Sequence, residues 1–124
     1  MLNLDYRDAR PIYEQVRDNL RRLMVSGAIQ EGEKLPSVRE LAASLAINPN
    51  TIQRSYRELE KLGLVNTVAG KGAFAATDGT AALRWREELM ATLSSTLREL
   101  KLLGVSESEL QSMVLAAFRK EDET

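Results

Sequence analysis

The sequence predicts a mainly α protein with one small β-hairpin, on three observations. Apolar residues recur at three- and four-residue spacing in five stretches of the 124-residue chain, the signature of helices with one buried face. Two β-prone stretches are separated by a short loop holding two glycines, as in a hairpin. Seven Gly and three Pro are few, so each is expected to mark the end of an element.

The first helix is expected over residues 11–26. Pro11 suits a first helical position, Gly27 follows the end, and Ile12, Val16, Leu20, Leu23 and Met24 form the stripe. Arg17, Arg21 and Arg22 lie off that stripe. Residues 28–35 are too short and Gly-punctuated for a helix, and predict a turn into a brief extended segment. Ser37 and Glu40 form a capping box that starts a second helix, with Val38, Leu41, Ala42 and Leu45 on one face and an end near Ala46. Asn48 is a favoured N-cap and Pro49 a favoured first residue, so a third helix follows at once and stops at Gly63. Ile52, Tyr56 and Leu59 are its buried stripe, and Asn50, Gln53, Arg54, Arg57 and Lys61 its outer face. Residues 64–68 and 73–76 form the hairpin around Ala69-Gly70-Lys71-Gly72. Residues 77–80 predict a turn and the boundary between domains 1–76 and 77–124. A long helix with Leu89, Leu93, Leu97 and Leu100 then runs to Gly104. Ser106 and Glu109 cap a last helix with Leu110, Met113, Val114, Ala117 and Phe118, before a charged, frayed end.

Composition excludes much. Without Cys or His there is no disulfide framework, no thiolate or imidazole metal site and no common general base. The carboxylates are spread over solvated helix faces, and no Ser or Lys has an activating neighbour. No catalytic residue, metal or cofactor is therefore expected, and the chain is not read as an enzyme. The first eight residues carry charges where a signal peptide needs an apolar run, and no segment approaches the roughly 18 apolar residues of a membrane span. A cytoplasmic protein is expected.

The order helix, short helix, tight turn, helix, hairpin is that of a winged helix-turn-helix. Such a fold reads DNA with the outer face of its last helix, while basic groups and backbone N–H fix the register on phosphates. Asn50 and Gln53 match adenine edges, and Arg54 or Arg57 a guanine or a phosphate. Lys71, between two glycines, suits close approach to a minor groove, and Arg39 a phosphate. An exposed basic helix face is most often only solvated, as Lys34 and Glu58 are read here. The specific signal is the combination of this face with a wing at the required separation.

These residues resemble a known family. Pro11-Ile-Tyr-Glu-Gln-Val16, Gly32-Glu-Lys-Leu-Pro-Ser-Val-Arg-Glu-Leu-Ala42, Asn48-Pro-Asn-Thr51, Tyr56-Arg-Glu-Leu-Glu60 and Gly70-Lys-Gly72 resemble the DNA-binding domain of GntR-family bacterial transcription regulators. The match spans residues 10 to about 75. The short tail, with Leu103-Gly-Val-Ser-Glu-Ser-Glu-Leu110, is similar to the YtrA-type subfamily, whose C-terminal region mainly dimerises. The resemblance implies DNA contacts at Arg39, Asn48, Pro49, Asn50, Thr51, Gln53 and Arg54, and a wing tip at Ala69, Gly70, Lys71 and Gly72. Ala73 and Ala75 depart from the Thr and Val of a GKGTFV-like strand, which would loosen the hairpin.

Two helices of this size cannot bury all their leucines alone, so Leu89, Leu93, Leu97, Leu100, Leu110, Met113, Val114 and Phe118 are expected at a homodimer interface, the plainer alternative being packing against the first domain within one chain. Trp85 suits a core, an interface or an aromatic platform alike. Forty-five residues leave little room for a closed ligand pocket of roughly 300–1,000 Å³, so a small-molecule effector, unidentified, would sit between subunits. The leading expectation is a dimeric repressor on a palindromic double-stranded operator, associated with the nucleoid when bound. The alternative is a winged helix used for protein–protein contact without specific DNA binding. The net charge of −1 does not exclude DNA, because residues 34–72 hold six basic and three acidic side chains, a net +3.

Overall fold

Helix α1 (Ile12–Val25) opens the ordered core of the computed structural model, which describes residue 2 and residues 4–76 and 80–122. Pro11 is its N-cap rather than its first helical residue, and the Pro11 carbonyl accepts from the Glu14 and Gln15 N–H groups. Val16, Leu20 and Met24 are buried, with Ile12 and Leu23 packed partly against them. Arg21, expected off this stripe, is buried as well. It neighbours Leu20 and Met24 around the helix, and a core-facing stripe is wider than the strict spacing implies. Gln15 flanks the other side at 3% exposure. Its Oε1 accepts from the Asp5 N–H at 2.8 Å, and its Nε2 donates to the Asp5 carbonyl at 3.0 Å. One amide side chain thus fastens the segment that precedes α1.

Helix α2 (Val38–Leu45) starts where the capping pattern predicts, with the Ser37 hydroxyl oxygen accepting from the Glu40 N–H at 3.0 Å. It ends at Ala46, which adopts the left-handed conformation at φ 55° and ψ 46°. The Ile47 N–H then reaches back to the Ala42 carbonyl at 2.9 Å. Asn48 caps helix α3 (Pro49–Lys61), its Oδ1 accepting from the Asn50 N–H at 2.8 Å, and Pro49 takes the first turn. Three residues therefore turn the chain from α2 into α3. Ile52, Ser55, Tyr56 and Leu59 bury one side of α3 against α1 and α2.

Strands β1 (Val65–Val68) and β2 (Gly72–Ala75) pair antiparallel, from Val65 opposite Ala75 to Val68 opposite Gly72. The extended segment expected after Gly32 covers the other edge of β2. The Leu35 N–H donates to the Ala73 carbonyl and the Ala75 N–H to the Glu33 carbonyl, both at 2.9 Å. Ala73 and Ala75 do not open the hairpin, because backbone bonds hold β2 on both edges and Ala75 is buried. The predicted turn at 77–80 lies, for residues 77–79, outside the described residues, as do residues 123 and 124.

Helix α4 (Ala81–Leu102) contributes Ala81 to the core of the first helices. Helix α5 (Glu107–Asp122) follows Gly104, at φ 84°, and is capped by the Ser106 hydroxyl, which accepts from the Glu109 N–H at 3.1 Å. The chain divides into two compact units, Met1–Leu83 and Arg84–Thr124. In the first, the core runs through α1, α2, α3 and the hairpin. In the second, Leu89, Leu93, Leu97, Met113, Val114 and Phe118 are exposed in the single chain, Leu100 and Leu110 are half-buried, and so is Trp85. Among the described residues no helix is long and apolar enough to cross a membrane.

Candidate nucleic-acid interface

Burial of Ile52, Ser55, Tyr56 and Leu59 forces the other side of α3 outward, since residues three and four apart share a face. Asn50, Gln53, Arg54, Arg57 and Lys61 are all exposed there. Asn50, Arg54, Arg57 and Lys61, with Glu58, border a shallow depression of about 310 Å³. Both carboxylates of α3 are engaged elsewhere. Glu58 lies 3.7 Å from the Arg17 guanidinium on α1, and Glu60 accepts from the Thr67 hydroxyl at 3.4 Å. Glu58 is therefore not the merely solvated group its composition implied, because tertiary packing brings a cation of α1 beside it. Among the described residues Arg57 and Lys61 make no ion pair, so their charge is open to an anion.

The remaining residues of the turn divide their roles. Asn48 spends its side-chain oxygen on the cap, and the Thr51 N–H donates to the Asn48 carbonyl at 3.0 Å. Thr51 is half-buried, and its carbonyl lies 3.2 Å from the buried Ser55 hydroxyl oxygen. Asn50 and Gln53 are the amides left facing out. Arg54 is exposed but not loose: its Nη2 donates to the Tyr13 hydroxyl at 3.1 Å, with its Cζ 3.7 Å from the ring centroid.

Arg39 stands exposed on α2, beside an open groove of about 410 Å³ lined by Ala42, Ala43, Ala46, Ile47 and Pro49. It too makes no ion pair among the described residues. At the wing, the Lys71 N–H donates to the Val68 carbonyl at 3.0 Å, which closes a turn whose third residue, Gly70, has φ 76°. That sign admits glycine far more readily than any side chain. Gly72 has φ 115°, and a Cβ there would stand 3.1 Å from Lys34 Cε. Lys34, read from sequence as solvent-exposed and nothing more, is thus drawn alongside the wing by its bridge to Phe74 and adds a second ammonium near Lys71. No local pattern marks Lys34, because its position depends on pairing with a strand far along the chain.

Three cationic regions therefore share the first unit: Arg39 on α2, the outer face of α3, and the wing with Lys34 and Lys71. Among the described residues no group of three or more acidic side chains is placed to hold a metal ion. In the second unit an open groove of about 610 Å³ is lined by Leu97, Leu110 and Val114, with Lys101, Val105, Glu107 and Gln111.

The family model for bacterial regulatory proteins of the gntR family matches residues 12–75. The HTH-type transcriptional repressor YtrA of Bacillus subtilis is 37% identical over 100 residues, which are 81% of this chain and 75% of YtrA. A structure described as a transcriptional antiterminator from Listeria monocytogenes EGD-e superposes with a TM-score of 0.77 at 35% identity, covering 94% of this chain and 89% of that one. The DNA-binding domain of AraR in complex with operator ORR3 superposes with a TM-score of 0.53 at 28% identity, over 60% of this chain and 89% of that one.

Proposed function

This chain belongs to the gntR family of bacterial regulatory proteins, and from that premise we propose that it is a sequence-specific transcription repressor that binds a palindromic DNA operator as a homodimer. The observation that carries the reading is the outer face of α3, where amides and unpaired cations stand exposed while both carboxylates of the helix are engaged elsewhere. Asn50 and Gln53 suit adenine edges in a major groove, and Arg54 or Arg57 a guanine or a phosphate. Arg39 suits the backbone beside α2, and Asn48, Pro49 and Thr51 stand at the turn and the start of α3, where contacts to the duplex are expected. The wing tip, Gly70-Lys71-Gly72, suits a minor groove because two residues there present no side chain. AraR, whose DNA-binding domain is the more distant relative in fold, is bound to an operator in its own structure.

The second unit supports the homodimer reading: exposed Leu89, Leu93, Leu97, Met113, Val114 and Phe118, with half-buried Leu100 and Leu110, form apolar surface that a second copy would cover. Two copies would present two α3 helices to half-sites about 34–36 Å apart, one turn of the duplex. An unidentified effector would enter between subunits. YtrA is named a repressor, which favours that sign of regulation here.

Titration with the duplex upstream of its own gene, across a salt series and against a random duplex, tests the reading. Specific binding that weakens steeply with salt is expected, and Arg39→Ala should lower the salt slope by about one. Arg57→Ala should weaken operator binding by roughly tenfold, the lower end of a lost bidentate contact. An affinity no better than for the random duplex, and indifferent to these changes, would overturn it.

A further inference from the structure

We propose that Tyr13, in the first turn of α1, is a positioning residue that presets the Arg54 guanidinium for a DNA phosphate. The inference rests on the DNA-binding reading above and specifies one of its contacts. The Arg54 Cζ lies 3.7 Å from the centroid of the Tyr13 ring, and its Nη2 donates to the Tyr13 hydroxyl at 3.1 Å. That hydroxyl in turn donates a hydrogen bond to Glu14 Oε1 at 3.3 Å. The next residue of α3, Ser55, is fully buried and donates its hydroxyl to the Tyr13 carbonyl at 2.8 Å. Two consecutive residues of α3 therefore grip one residue of α1, one by its ring and one by its backbone.

An arginine on an open helix face samples many rotamers, and their loss opposes any contact it makes. Arg54 has already lost much of that freedom to the stack. The ring and the hydroxyl are neutral, and Glu14 meets the hydroxyl rather than the guanidinium, so among the described residues no carboxylate forms an ion pair with Arg54. Glu58, four residues on along α3, is turned to Arg17 instead. A guanidinium carries five N–H donors. Tyr13 occupies one of them and leaves the rest for charge-assisted bonds to an anion. The anchor ties Arg54 to α1, at the side of the α3 face. Its partner is therefore the phosphate backbone at the edge of the groove rather than a base.

The full chain is compared with Tyr13→Phe, Tyr13→Ala, Arg54→Ala and the Tyr13→Ala/Arg54→Ala double variant. Each is titrated with the upstream duplex and with a random duplex over a salt series, and its thermal unfolding is recorded. Tyr13→Ala should weaken both duplexes alike by about three- to tenfold, the cost of immobilising one long side chain. Tyr13→Phe, which keeps the stack, should restore most of that loss. In the Arg54→Ala background Tyr13→Ala should add nothing, and the salt slope should fall by about one only where Arg54 is removed. If Tyr13→Ala does not fold, Tyr13→Leu takes its place, keeping bulk without a ring face.

A loss that persists in the Arg54→Ala background, or no loss at all, would overturn the inference while leaving DNA binding intact. A wild-type chain that binds neither duplex at low salt would overturn the DNA reading and this inference with it.

Discussion

Tyr56 works in two environments at once, its ring in the core and its hydroxyl donating to the Pro36 carbonyl at 2.6 Å. Burial, reinforced by the charge of Glu40, pushes its pKa up from 10.0 to about 12. The unfolded chain therefore loses this proton first. The contribution of Tyr56 to stability is intact below pH 10 and disappears as pH rises through about 12. Urea unfolding across that window should show a steep alkaline loss in the wild type and a shallower one in Tyr56→Phe. At neutral pH the variant should be weaker by about 1 kcal/mol, the worth of the lost hydrogen bond. A slope unchanged by the substitution would assign the alkaline loss to another group. Gln15, Ser55 and Lys34 make the complementary point. Each has a partner that no spacing rule reveals, because Asp5, Tyr13 and Gly72 come into reach only when the chain closes on itself.

Among the elements, the join between α2 and α3 is the most demanding, since three residues must reverse the chain and present α3 outward. Asn48 and Pro49 announce this in the sequence, and the cap forms as they predict. Ala46 does not announce itself. It takes the left-handed conformation that usually belongs to glycine or asparagine, which costs an L-residue roughly 1–2 kcal/mol. Ala46→Gly should therefore raise stability by about 0.5–1 kcal/mol after the greater freedom of glycine in the unfolded chain is counted. The check is a higher denaturant midpoint at an unchanged slope. A lower midpoint would show that Ala46 contributes packing worth more than its strain. The wing teaches a related lesson. Judged as two strands it looked weakened by Ala73 and Ala75, yet residues 33–35 bond the far edge of β2 and hold it.

At the scale of the molecule, the two units carry different charge. Residues 1–83 hold 11 basic and 10 acidic side chains, net +1, and residues 84–124 hold 6 and 8, net −2. Modest bulk attraction to DNA follows, so affinity in the proposed function depends on joining two copies. Leu93 and Leu97, 50% and 37% exposed in the single chain, are the residues to test. Leu93→Glu with Leu97→Glu should convert a dimer to a monomer in analytical ultracentrifugation and lower operator affinity by at least about tenfold, since linked half-sites gain through effective concentration. The helical signal of the first unit should remain. A sedimentation coefficient unchanged by the pair would move the interface to another face.

Local chemistry in the sequence determined the helices α1 to α5 of the described residues, the hairpin, the caps at Ser37, Asn48 and Ser106, and the outer face of α3, and its motifs marked the family. Those features depend on neighbours within one or two helical turns or across one tight turn, where periodicity and capping chemistry act. Only the tertiary structure decided that Arg54 rests on Tyr13, that Glu58 turns to Arg17, that Lys34 stands beside the wing, and that Arg21 is buried. Each of these joins elements far apart in the chain. Whether a charged side chain remains free for DNA depends on what packing sets beside it, and a linear pattern carries no record of that.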